Sequence, residues 1–76
     1  MAETETHSRV RLRIVLNGET YETGAEVLDE LVAEVADAGA KVATAVNGDF
    51  VPERERAGRL LAHGDRVEIL SPRQGG

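Results

Sequence analysis

Cysteine is missing from this chain of 76 residues, which rules out disulfide stapling, a thiolate nucleophile and a persulfide carried on the chain itself. Tryptophan is missing too, and Tyr21 and Phe50 are its only aromatic residues, so there is no stacking platform for bases. Positive charge is scarce: 9 Lys and Arg stand against 14 Asp and Glu, a formal net charge of -5. A chain this acidic offers no cationic face to a phosphate backbone, and nucleic acid is not expected as a direct ligand. Long apolar runs are absent as well, and none approaches the roughly 18 to 20 residues of a membrane span. The opening Met1-Ala2-Glu3-Thr4-Glu5-Thr6-His7-Ser8 lacks the basic and apolar regions of a signal peptide. The expectation is a cytoplasmic protein with no membrane association and a disordered leader over residues 1–8. His7 and His63 have no partners at metal-ligand spacing, so both are read as solvated surface residues and no metal site is expected.

What is present is a pattern of short elements. Val10, Leu12, Ile14 and Leu16 alternate with Arg9, Arg11 and Arg13, the period of a half-buried strand with a solvated basic stripe. Asn17-Gly18 supplies the positive φ angles of a type I′ turn, and Thr20-Tyr21-Glu22-Thr23 returns as a second strand. Thr23-Gly24-Ala25-Glu26 fits a capping box and predicts a helix starting near Gly24 or Ala25. Along it Val27, Leu28, Leu31, Val32, Val35 and Ala36 form one face, with Gly39 as a left-handed cap. The opposite face is acidic. Glu30 and Glu34 there are spaced as a carboxylate pair, yet no His, Ser or basic residue completes a catalytic site, and they are read as solvated.

Val42-Ala43-Thr44-Ala45-Val46 predicts a third strand and Asn47-Gly48-Asp49 a turn into a fourth, Phe50-Val51-Pro52. Pro52 cannot donate to a ladder, which places that strand at a sheet edge or end. Glu53 to Gly58 is polar and predicts one helical turn at most. Ala62-His63-Gly64-Asp65 is a tight turn into the last strand, Arg66-Val67-Glu68-Ile69-Leu70, with Val67 and Ile69 facing inward. At this length one core is all the chain supports. The elements predict an α+β domain over residues 9–71, a mixed four- to five-stranded sheet covered by one main helix. Right-handed crossovers leave few topologies, and the β-grasp (ubiquitin-like) roll is the natural one.

The chain then closes on Ser71-Pro72-Arg73-Gln74-Gly75-Gly76, read as a flexible tail over residues 72–76. Neither terminal residue has a Cβ, so the last peptide fits a narrow tunnel in another protein. At a usual glycine share of ~7%, such a pair ends roughly one chain in two hundred.

Val15-Leu16-Asn17-Gly18-Glu19, the run Val42 to Pro52, the run Leu61 to Leu70 and the Gln74-Gly75-Gly76 ending together resemble the ThiS family of thiamine-pathway sulfur carriers. The resemblance covers nearly everything after Ser8; the polar leader, a somewhat long helix and the charged Arg73 depart from it. It implies a carrier with no catalytic residues and no cofactor of its own. A ubiquitin-activating-type adenylyltransferase, using ATP and magnesium, would adenylate the carboxylate of Gly76. A sulfur donor enzyme would convert it to a thiocarboxylate, and thiazole synthase would take the sulfur. Gly75, Gln74, Arg73 and Pro72 would form the partner-binding tail that enters the partner's channel. Phe50 and Leu70 do not fall clearly on the core-facing alternation; they are read either as docking residues or as completing a secondary core. Related carriers serve tRNA 2-thiolation or molybdopterin, and ubiquitin-like modifiers form isopeptides from the same glycine. The apolar-Pro-Pro ending usual in molybdopterin carriers fits Leu70-Ser71-Pro72 poorly. A passive β-grasp binding module would leave Gly75-Gly76 without purpose.

Overall fold

The computed structural model describes residues 11–71; the leader over 1–8 and the tail over 72–76 expected from sequence lie outside these. Asn17-Gly18 and Asn47-Gly48 both adopt left-handed backbone, with φ of 51° and 86° in the first and 53° and 88° in the second. Each closes a two-residue hairpin. The first joins β1 (Leu12–Leu16) to β2 (Glu19–Thr23), and the second joins β3 (Ala43–Val46) to β4 (Asp49–Val51). The last strand, β5 (Arg66–Leu70), enters between the hairpins, parallel to β1 and antiparallel to β3. The sheet order is β2-β1-β5-β3-β4, five strands with β5 in the centre. Pro52 follows β4 at an edge, where a missing N–H breaks no ladder.

One helix, α1 (Leu28–Val35), crosses the inner face of the sheet and buries Leu28 and Leu31 completely. They meet Ile14, Val46, Val51, Leu61 and Val67 in a single core, with Leu12, Leu16, Tyr21, Val32 and Ile69 packed around it. A five-stranded mixed sheet gripping one main helix in this order is the β-grasp roll.

The helix is shorter than its sequence pattern at both ends. Val27 is drawn into a bridge with Leu60, the Leu28 N–H donating to the Arg59 carbonyl at 2.8 Å and the Leu61 N–H to the Glu26 carbonyl at 3.0 Å. That extended backbone delays the first turn. The Thr23–Glu26 capping box does not form: the Thr23 hydroxyl accepts from the Ala25 N–H at 2.9 Å, and Glu30 takes the Glu26 N–H at 2.8 Å. At the other end the chain leaves the helix at Ala36, and Gly39 (φ 79°) shapes a separate turn over Asp37–Ala40. Beyond Val35 the apolar residues are alanines, which bury too little area to hold another turn on the sheet. The segment Glu53–Gly58 is likewise longer than expected, a 3-10 helix of six residues. Arg56 from it reaches inward, donating from Nε to Thr44 Oγ1 at 3.1 Å and from Nη2 to the Val42 carbonyl at 2.7 Å. These bonds fasten the segment to β3.

Glu34 has a structural role on the helix. Tyr21 and Thr23 on β2 donate their hydroxyls to it at 3.1 Å and 2.6 Å, tying the first hairpin to α1. Burial first, then the hydrogen bond and charge of Glu34, raise the Tyr21 phenol above its ordinary 10.0, while Arg11 pulls it down. The stability from this neutral phenol is therefore complete below the unfolded value and is lost as pH rises through the folded one. An absorbance titration of Tyr21, the chain's sole tyrosine, is expected to show a midpoint above 10.0 that falls on Glu34→Gln. A midpoint indifferent to that substitution would show that the tie does not form.

Candidate functional site

The strand that leads toward the Gly-Gly ending is the central one of the sheet. Hairpin chemistry secures it at both ends. At its start the Arg66 N–H donates to Asn47 Oδ1 at 2.9 Å, and Asn47 N–H returns a bond to the Arg66 carbonyl at 2.7 Å. Asn47 Nδ2 also donates to Asp65 Oδ1 at 3.0 Å, and the other Asp65 oxygen caps the Ala62 N–H at 2.8 Å. At its far end Asn17 grips Ile69 through both atoms of its carboxamide: Oδ1 accepts the Ile69 N–H at 2.9 Å and Nδ2 donates to the Ile69 carbonyl at 3.2 Å. The tight turn before β5 is anchored as well, with the Gly64 N–H on the Arg13 carbonyl at 2.9 Å and the Arg13 N–H on His63 Nδ1 at 3.1 Å.

The outer face of the sheet, away from the helix, carries two large apolar residues that the core does not use. Phe50 is 69% exposed and Leu70 59% exposed. The register places Phe50 directly across from Ala45 and Leu70 across from Ala43, so all four side chains share this face. Alanine on the intervening strand leaves both larger residues standing clear of their neighbours. Glu68 flanks Ala45 on the other side, and the Arg13–Glu22 ion pair, at 3.0 Å with both side chains exposed, lies farther across. Leu70 ends β5, one residue before Ser71, so the apolar face adjoins the point where the ending begins.

Of the residues singled out in the sequence, the structure brings Phe50 and Leu70 onto one surface. Pro72, Arg73, Gln74, Gly75 and Gly76 lie outside the described residues and follow Ser71 in sequence. Asn17 was legible as a turn residue and not as a partner of Ile69, 52 positions away; no local pattern carries that pairing. Ala43 and Ala45 gave no signal beyond their place in a strand. Among the described residues no group of His, Asp and Glu is arranged to hold a metal ion, and no helix is long and apolar enough to cross a membrane.

No curated protein matches this chain. Among solved structures, the thiamine biosynthesis protein ThiS of Geobacter metallireducens is similar in fold, with a TM-score of 0.67 and 28% identity over 86% of this chain and 100% of that one. The model of the ThiS family matches residues 14–76, from the first core residue of β1 through Gly75 and Gly76. With the β-grasp order, the central β5 and the glycine pair all inside that match, the chain belongs to the ThiS family.

Proposed function

We propose that this protein is a sulfur carrier for the thiazole ring of thiamine, acting as a protein co-substrate and not as a catalyst, with Gly76 as the loaded residue. The observation that carries this reading is the family match running through Gly75 and Gly76 on a domain whose last strand leads straight to them. A carboxylate oxygen is a poor leaving group, so the chemistry starts with activation. The Gly76 carboxylate attacks the α-phosphorus of ATP on an adenylyltransferase that holds magnesium, and pyrophosphate departs. Hydrosulfide delivered by a donor enzyme, sulfur already at the sulfide level, then attacks the acyl carbon; the acyl–phosphate bond breaks, AMP leaves, the S–H proton is lost to water, and a thiocarboxylate remains. That group is anionic at neutral pH and strongly nucleophilic through sulfur. A thiazole synthase consumes it.

In this reading the folded domain is a handle. Gly75 keeps the ending slim, Gln74 and Arg73 hydrogen-bond along the partner's channel, and Pro72 stiffens the exit from β5. The face bearing Phe50 and Leu70 docks the partner, which their exposure and shared orientation support. All of these steps are cytoplasmic.

The test is incubation with the cognate adenylyltransferase, ATP, magnesium and a sulfur source. Intact-mass spectrometry is expected to show one terminal oxygen exchanged for sulfur, mapping to the C-terminal peptide. A strain lacking the gene is expected to need thiazole or thiamine while its tRNA thiolation and molybdenum enzymes stay normal. No mass shift, or a shift elsewhere, removes the carrier reading. Thiamine-independent growth with loss of 2-thiouridine moves the carrier to tRNA, and conjugates on lysines move it to the modifiers.

A further inference from the structure

We infer that Asn17 is a positioning residue for activation: its carboxamide, closed on the backbone of Ile69, sets where the chain leaves the sheet toward Gly76. The inference rests on the carrier reading above and adds to it the device that fixes where the ending starts. It starts from an irregularity in the sheet. Paired Cα positions between β1 and β5 cover only Val15 with Arg66 and Leu16 with Val67. The Val15 N–H donates to the Asp65 carbonyl and the Asn17 N–H to the Val67 carbonyl, both at 2.9 Å. In a regular parallel ladder the next two bonds would join the Ile69 N–H to the residue 17 carbonyl and the Ile69 carbonyl to the residue 19 N–H. Neither is possible, because β1 turns away at Asn17 into the I′ turn (φ 51°). The Asn17 side chain makes both bonds instead, at 2.9 Å and 3.2 Å.

Ile69 needs that substitute. Both of its backbone groups point toward β1, so its pairing with Thr44 on β3 is of the non-hydrogen-bonded kind. Without Asn17 the end of β5 would be fastened on one side alone, through the Ala43–Leu70 pair. Ile69 lies only partly inside the core, and packing alone would hold it loosely. Gly76 lies seven positions beyond it, with six residues between, a reach of about 23 Å when extended. The grip fixes the point of departure: Leu70, the next residue, stands on the exposed apolar face, so holding Ile69 sets where the ending starts relative to a partner docked on that face. Effective reaction demands the attacking oxygen near 3–3.5 Å from phosphorus, and small misplacements are costly.

The fold provides its own control. Asn47 occupies the same position of the same turn type, with φ 53°, and also holds β5 by its carboxamide, but at Arg66, the end remote from the tail. Asn17→Gly and Asn47→Gly each keep the left-handed backbone and delete one grip. Asn17→Asp keeps the acceptor for the Ile69 N–H and sets a carboxylate against the Ile69 carbonyl.

The experiment compares the full-length wild type, Asn17→Gly, Asn17→Asp and Asn47→Gly for adenylation by the cognate adenylyltransferase, for thermal unfolding and for amide hydrogen exchange. Asn17→Gly is expected to lower kcat about tenfold with KM near the wild-type value and to speed exchange at Ile69. Asn17→Asp is expected to fall between it and wild type. Asn47→Gly is expected to unfold at a similar temperature to Asn17→Gly and to be adenylated like wild type. Equal turnover in the two glycine variants, a loss carried by KM alone, or unchanged exchange at Ile69 in Asn17→Gly would each overturn the positioning role. A wild-type chain that is never adenylated would instead overturn the carrier reading, which the variants do not decide.

Discussion

Removing Gly75 and Gly76 is expected to abolish adenylation while moving the free energy of unfolding by less than about 0.5 kcal/mol, the range of a surface change. The two effects are expected to separate because the core found among the described residues is complete before the ending begins. Among the described residues, every side chain in or against the core lies between Leu12 and Ile69, and the deleted glycines come after Ser71 in sequence. Gly75→Ala is the milder companion, adding one methyl group where a glycine-only channel would refuse it. ATP–pyrophosphate exchange with the cognate adenylyltransferase reads the first quantity and urea unfolding the second. If the deleted chain is still adenylated, Gly76 is not the loaded residue. If it unfolds, the glycines are structural and the division between handle and ending is mistaken.

Leu31→Ala is expected to have the largest effect on stability, about 2 to 5 kcal/mol from lost burial and the cavity left behind. For a domain of this length the whole stability is roughly 4 to 11 kcal/mol, scaling a typical value per residue. Leu31 is completely buried, and α1 is the main element covering the inner face, so no second layer can collapse into the space. Leu60→Ala is the contrast: Leu60 is 72% exposed, and the same change in side-chain size is expected to cost less than about 0.5 kcal/mol. Urea midpoints of the two variants check this. Similar losses at both positions would mean that the core is not organised around α1.

Much of this molecule was legible in order of residues. Asn17-Gly18 and Asn47-Gly48 announce their hairpins because few residues other than glycine and asparagine tolerate positive φ. Pro52 marks an edge strand because it lacks an N–H. The alternation of Val67 and Ile69 with Glu68 shows which side of β5 faces inward. The ends of the helix were not legible. Thr23 and Glu26 have the spacing of a cap, but Thr23 is engaged by Ala25 and Glu34, and Val27 by its bridge to Leu60. Glu34 and Leu60 come from other parts of the chain, and their hydrogen bonds outweigh a local propensity worth about 1 kcal/mol.

By itself, then, the sequence determined the kinds of element, the two hairpin turns, the inward faces of β1 and β5 and the glycine pair that the ThiS family match includes. These follow from backbone sterics and from the two- and 3.6-residue periods, which act over a few neighbours. Only the tertiary structure decided that β5 sits in the centre, that Phe50 and Leu70 share one exposed face, and that Asn17 closes on Ile69 across 52 positions. A period of two specifies a face and leaves the neighbour and the register open. Those are chosen when the helix, both hairpins and the last strand bury their apolar sides together.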